Sequence, residues 1–138
     1  MMSIDKNLKV SDIILKPQEI PVLAPNDLVK QALEKMSSLR LGVVCIVDQS
    51  NILQGVFTDG DMRRLLLNDQ KPLSAIFADD IISHANSNPL TVEENFSLIE
   101  AINLIEEKKV WDIPVVDKNK KLVGLLHMHK IVKKFLNI

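Results

Sequence analysis

Thr58, Asp59, Asp61 and Arg64 fall directly after the apolar run Gly55-Val56-Phe57, at the start of the amphipathic pattern Met62 to Leu67. A buried strand that runs straight into a helix turns free backbone N–H groups and a positive dipole end toward whatever lies at the junction, which suits a phosphate. Thr58 adds a hydroxyl donor to that phosphate, and Arg63-Arg64 either neutralise it or line a dimer face, with at least one of them read as a solvated helix flank. Asp61, an acceptor-only side chain, suits the vicinal hydroxyls of a ribose. Gly60 admits a ligand or a neighbouring backbone closely. The same residue types serve a second purpose: Thr58 or Asp59 as an N-cap and Asp61 as a favourable first-turn acid. Spacing alone leaves both readings open.

Near the other end stand His127, His129 and Lys130. Residues two apart do not face each other on a helix, and no acidic or cysteine ligand is nearby in sequence, so a metal site is not expected. The two histidines read as helix-start residues lining a cleft, where His127 can donate to a phosphate. Trp111 precedes an apolar run, and its indole either stacks on a base or packs at a domain edge. Cys45, in Val44-Cys45-Ile46, reads as a buried, inert thiol. No nucleophile-base pair and no closed metal site emerge, so no catalytic residue is expected.

The elements that position these residues occur twice. Asp48 and Asp117, and likewise Gly55 and Gly124, are separated by 69 residues. Leu28 to Met36 matches Ser97 to Ile105 at that same offset, and the lead-in Val10-Ser11-Asp12-Ile13-Ile14 resembles Phe77 to Ile82. In each copy a short extended segment (Ile20 to Leu23, or Pro89 to Val92) precedes a helix with apolar residues at helical spacing, Leu28, Ala32 and Met36 or Leu98, Ala101 and Ile105. Asn26 or Asp27, and Asn95, are suitable N-caps. Two strands follow, Val43 to Val47 and Ile52 to Phe57, or Ile113 to Val116 and Leu122 to Leu126, each pair joined by a polar turn. A last helix closes each unit. The predicted fold is α+β, a β-α-β-β-α unit repeated over 8–67 and 77–136 with 68–76 as linker. Each half buries only a modest core alone, so the sheets are expected to pack as a pseudo-two-fold pair with clefts between the halves.

Composition excludes other classes. The chain has 138 residues, with 17 Lys+Arg against 18 Asp+Glu, a net charge of −1. Scattered charge of this balance rules out a polybasic nucleic-acid arm, and 46% apolar content rules out disorder. One cysteine leaves no disulfide framework and points to a reducing compartment. The start, Met1 to Lys6, has no long apolar run, and no segment approaches the ~18 residues of a membrane span. A cytoplasmic protein without nucleic-acid or membrane partners is expected.

The duplicated unit with Gly-hydrophobic-x-Thr-x-x-Asp after its last strand resembles the CBS domain, which occurs in tandem pairs (Bateman modules) that bind nucleotides and related ligands. Val10-Ser11-Asp12-Ile13, Glu19-Ile20-Pro21, Gly55 to Arg64 and Gly124-Leu125-Leu126-His127-Met128-His129 are similar to the C-terminal CBS pair of the D-arabinose 5-phosphate isomerases (KpsF/GutQ family) of the lipopolysaccharide and capsule pathway. The similarity runs from about Leu8 to Phe135. It implies that Thr58 holds a phosphate and Asp61 a ribose, with Asp59 and Arg64 beside them. The backbone at Ile20, Pro21, Val22 and Gly42, Val43, Val44 would enclose the base. In the second copy Trp111, Ile113, Pro114, His127 and His129 occupy the matching places, and Lys130 replaces Asp61. That departure makes the half-sites unequal, the first nucleotide-like and the second empty or suited to an anion. The resemblance further implies no required cofactor, a nucleotide or nucleotide-sugar ligand (CMP-linked Kdo or an adenine nucleotide), a homodimer, and regulation of a sugar isomerase (SIS) domain in cis or in trans. Two other readings stand beside it: a dimerisation scaffold using the Leu65-Leu66-Leu67 and Ile131 to Leu136 faces, and the CBS module of a sugar nucleotidyltransferase, which carries a similar TDGD-x-RR string.

Overall fold

A computed structural model describes residues 6–136; the N-terminal stretch read for a targeting signal lies largely outside the described residues. The chain divides into two compact units. The first is Gln18–Pro89, and the second joins the residues through Pro17 to those from Leu90 onward.

In the first unit β1 (Val22–Leu23) runs parallel to β2 (Val43–Val47), which pairs antiparallel with β3 (Leu53–Thr58). Helix α1 (Val29–Leu39) connects β1 to β2, α2 (Asp59–Asn68) follows β3 without a break, and α3 (Leu73–Phe77) and a 3-10 turn at Ile81–His84 complete the unit. The second unit repeats the plan: β4 (Val92–Glu93), α4 (Leu98–Lys108), β5 (Asp112–Val116), β6 (Leu122–His127) and α5 (Met128–Leu136). Its sheet order β4-β5-β6 mirrors β1-β2-β3. The α+β class and the duplicated unit follow the sequence pattern closely.

The hairpin turns show why the repeat is so regular. Asp48 Oδ1 accepts hydrogen bonds from the Ser50 and Ile52 N–H groups at 2.8 and 3.0 Å. Asp117 Oδ1 does the same for Asn119 and Lys121, also at 2.8 and 3.0 Å. A short carboxylate bonded to its own turn is the standard device for a polar loop between apolar strands. The helix starts differ from expectation. Leu28 and Ser97, not Asn26, Asp27 or Asn95, occupy the N-cap positions. Asp27 is diverted, since its Oδ2 accepts from the Ala24 N–H at 2.8 Å, and Leu28 is held extended by a bridge to Asp80. The vacant cap is filled from within, by Gln31 Oε1 accepting from the Leu28 N–H at 2.7 Å.

The unit boundaries also cut across the sequence repeats. Val10 and Ile13 are buried in the second unit's core with Leu98, Ile105, Ile113 and Leu126. Ile76 and Ile81 are buried in the first unit's core with Val29, Ile46 and Phe57. Each lead-in therefore packs on the other repeat's sheet, and the expected linker 68–76 ends inside α3, whose Ile76 is a core residue. Backbone pairing fixes these segments. Leu15 and Leu125 exchange hydrogen bonds of 2.8 and 2.9 Å, and Val56 and Asn86 exchange bonds of 3.0 and 2.8 Å. The crossings explain two glycines that sequence motifs alone leave unexplained. A Cβ on Gly124 would lie 2.4 Å from the Leu15 carbonyl oxygen, and one on Gly55 would lie 2.8 Å from that of Asn86. Both obstacles are backbone atoms in hydrogen-bonded register, which do not yield cheaply.

Two measurements check this arrangement. Gly124→Ala and Gly55→Ala should each lower unfolding free energy by about 1–3 kcal/mol in urea titrations, as overpacking does; unchanged midpoints would contradict the crossings. Asp79, at the end of α3, accepts from Lys71 Nζ at 2.6 Å and pairs with His84 Nε2 at 2.8 Å. Lys71 first, then His84, hold its carboxyl below the ordinary 3.8. A depressed folded value stabilises the protein above the unfolded value, and the benefit is lost as pH falls through the folded one. Asp79→Asn should therefore flatten the acid limb of the stability profile below about pH 4, with a small amplitude that shrinks in salt because the pair is solvent-exposed.

Candidate functional site

The first candidate centre is built where β3 becomes α2. Phe57 and Val44, fully buried in the unit's core, anchor the strand ends, so Thr58 emerges half-buried at the sheet edge. Thr58 and Asp61 close a reciprocal cap. Asp61 Oδ2 accepts from the Thr58 N–H at 2.9 Å and from its hydroxyl at 3.0 Å, and Thr58 Oγ1 accepts from the Asp61 N–H at 3.1 Å. This is the capping-box arrangement, with Asp at the third helical position. Arg64 Nη2 donates to Asp61 Oδ1 at 2.8 Å. The capping role that the spacing allowed is thus realised, and it has a chemical consequence. Among the first helical N–H groups, Asp59 donates to the Gly42 carbonyl and Asp61 donates to Thr58, so the donors left for an anion are the Gly60 N–H and the exposed guanidinium of Arg64.

Gly60 and Gly42 make room for this cluster. A Cβ on Gly60 would approach the Arg64 guanidinium at 3.3 Å, and one on Gly42 would reach 2.5 Å from Asp59 Oδ2. The arginine therefore folds back over the first turn of its own helix, and the Asp59 carboxylate lies against the start of β2. Ile20 and Pro21 are buried beside the β1 edge, with Val22 half-buried. Val43 and Val44 are both buried, and Val44 belongs to the core, so only its backbone faces outward.

The second centre departs from the first more than sequence suggested. His127, in the place of Thr58, has its Nδ1 2.6 Å from Asp112 Oδ1. Asp112 stands where the first copy has Val43, and it pairs with His127 across the β5–β6 ladder just as Val43 pairs with Thr58. This carboxylate was missed in the sequence, although a lone acid opening an otherwise apolar strand was the visible signal. With Nδ1–H donated to Asp112, neutral His127 presents Nε2 as an acceptor, and it donates outward only as imidazolium. The expected basic half-site therefore carries its own counter-charge. His129 lies with its ring centroid 6.3 Å from that of His127. Among the described residues no three His, Cys, Asp or Glu side chains gather to hold a metal. Trp111 is 70% exposed, so it does not serve as core, while Ile113 and Pro114 are buried and Ile113 is a core residue. Met128 N–H donates to the Trp111 carbonyl, repeating the Asp59–Gly42 bond with bulkier partners.

The cap is separable from any ligand by stability alone. Thr58→Ala should cost about 1 kcal/mol in denaturant titrations without ligand, and Thr58→Ser should restore most of it; an unchanged midpoint would show that the cap contributes nothing.

The geometry agrees with what comparison with known proteins finds. The CBS domain model matches residues 10–68 and 78–137. The arabinose 5-phosphate isomerase KdsD of Francisella tularensis is 30% identical over 130 residues, covering 91% of this chain and 37% of that protein. KdsD of Yersinia pestis is 30% identical over 131 residues with the same two coverages, 91% and 37%. The chain thus spans well under half the length of these relatives. Among solved structures, CBSX2 in complex with AMP superimposes with a TM-score of 0.82 at 29% identity, covering 94% of this chain and 96% of the other. Two family matches, a duplicated β-α-β-β-α unit and a Thr-x-x-Asp junction at the strand–helix boundary agree: the chain is a tandem pair of CBS domains and belongs to the CBS domain family.

Proposed function

We propose that this CBS pair is a non-catalytic regulatory module that binds a nucleotide or nucleotide-sugar and adjusts the activity or assembly of an arabinose 5-phosphate isomerase, in cis or in trans. The observation that carries the reading is the Thr58–Asp61–Arg64 junction at the N-terminus of α2. Asp61 keeps acceptor capacity on Oδ1 for a ribose hydroxyl, and Arg64 with the Gly60 N–H offers donors to a phosphate. CBSX2, 29% identical, is a complex with AMP, which supports an adenine nucleotide as the first ligand to test. The KdsD relatives support the isomerase as the regulated activity; in this reading an SIS domain is the catalytic partner and the setting is cytoplasmic. A CMP-linked sugar acid is the second ligand to test. The Asp112 carboxylate held against His127 favours a ligand hydroxyl over an anion at the second half-site, in place of the anion that Lys130 alone suggested. Trp111, at the mouth of that half-site, is free to stack on a base.

Calorimetry and thermal unfolding test the proposal on the same chain. AMP, ATP or a CMP-sugar at 100 times its Kd should raise unfolding free energy by about 2.7 kcal/mol. Asp61→Ala should weaken that binding at least tenfold, about 1.4 kcal/mol, beyond the loss of stability measured without ligand. No response to any of the three, or equal binding after the substitution, would overturn the assignment.

A scaffold reading is favoured by a different observation. Leu66 and Leu67 on α2 are 51% and 78% exposed, and Val132 and Leu136 on α5 are 40% and 49% exposed. Leu65 and Ile131, expected on the same faces, instead turn inward onto the two cores. A homodimer through these helices predicts that Leu67→Glu shifts the mass measured by light scattering toward the monomer. An unchanged mass would exclude that face.

A further inference from the structure

The first unit carries a second polar feature, on the side of α2 that leads away from its N-terminus. An open depression of about 420 Å³ is lined by Asp61 and Arg64 from the first turns of α2, by Leu65, by Asn68, Asp69 and Gln70 at its C-terminal end, and by His84 from the 3-10 turn opposite. Its wall is preset. Arg64 is fixed by Asp61 at 2.8 Å, His84 by Asp79 at 2.8 Å, and Asp69 Oδ1 accepts from the Lys71 N–H at 2.9 Å. The side-chain amides of Asn68 and Gln70 hydrogen-bond to none of the described residues, so two complete donor–acceptor pairs are left for a ligand.

Charge and shape narrow the ligand class. A phosphate inside the depression would meet two carboxylates, Asp61 and Asp69, against the single guanidinium of Arg64, so an anion is disfavoured on this side of α2 even though Arg64 can still reach one at the helix N-terminus. A nucleobase needs flat apolar walls, and Leu65 is the one apolar side chain of the lining. A divalent cation needs converging ligands, and no such group of three occurs among the described residues. What fits is an uncharged molecule presenting donors and acceptors in pairs, the chemistry of vicinal hydroxyls. We infer that the depression between α2 and His84 is a binding site for a neutral sugar, with Asn68, Gln70 and Asp69 taking ring hydroxyls, the remaining Arg64 N–H groups bonding ring or hydroxyl oxygens, and the Nδ1 side of His84 closing the site. This goes beyond the nucleotide reading, with which it shares only Asp61 and Arg64. The test therefore uses Asn68 and His84, which that reading does not involve.

The experiment is a two-dimensional amide NMR titration of the full chain with D-ribose, with inorganic phosphate and AMP as separate arms. An open site without an aromatic platform should bind a pentose with a Kd on the order of millimolar. Saturable shifts should appear at residues 61–70 and 84. Asn68→Leu, at an exposed position, should weaken them at least fivefold, and His84→Gln should weaken them while the remainder of the spectrum stays native. AMP binding should be unaltered in Asn68→Leu. No saturable shift with ribose up to about 50 mM, the same shifts from inorganic phosphate, or unchanged ribose affinity in both variants would overturn the inference. Loss of AMP binding in the unmodified chain alongside intact ribose shifts would sink the nucleotide reading alone.

Discussion

Two backbone crossings hold this structure together. At Leu15–Leu125 and at Asn86–Val56 a segment preceding one repeat lies against the last strand of the other, and each crossing passes over a glycine whose missing Cβ makes the approach possible. Hydrogen bonds of 2.8 to 3.0 Å at both places satisfy strand-edge groups that would otherwise face the segment unpaired. Because the crossings carry Val10 and Ile13 into one core and Ile76 and Ile81 into the other, the compact units are assembled from non-contiguous pieces. A repeat cut at its sequence boundary would therefore lose part of the core on which its sheet packs.

The strand that each crossing stabilises is also the strand that delivers the candidate junction. β3 and β6 end at the same register, Thr58 opposite Val43 and His127 opposite Asp112, and each leads into a helix with no intervening loop. Identical backbone geometry thus presents different chemistry. In the first copy a hydroxyl and a carboxylate cap the helix and hold an arginine over it. In the second an imidazole is tied to a carboxylate on the neighbouring strand. The cap decides which donors at this junction are already committed. The Thr58 hydroxyl is bonded within its own helix start, whereas the guanidinium of Arg64 stays exposed beside it.

The polar side of α2 carries two different surfaces. Its N-terminal turn is charged and preorganised, whereas its C-terminal turn carries the amides of Asn68 and Gln70, with a 3-10 turn opposite that brings His84 to face them. Nothing in linear spacing relates residue 84 to residues 61–70; the juxtaposition exists because Ile81 is pulled into the first unit's core, where its N–H donates to the Asp27 carbonyl at 2.7 Å.

Periodicity, turn chemistry and the 69-residue offset determined the α+β class, the order of elements and the location of the Thr58–Asp61 junction, because those features are local: apolar spacing, Asp-initiated turns and cap residues act within a few positions of themselves. The same local logic left the cap and ligand roles of Thr58 and Asp61 undivided, since both need the same atoms. Only the tertiary structure decided which repeat each lead-in joins, why Gly55 and Gly124 tolerate no side chain, that Asp112 binds His127, and that His84 stands across from Arg64. Each of those depends on backbone and side chains many residues apart meeting in space, and the packing of Val10, Ile13, Ile76 and Ile81 into cores that are not their own repeat's is the physical event that brings most of them together.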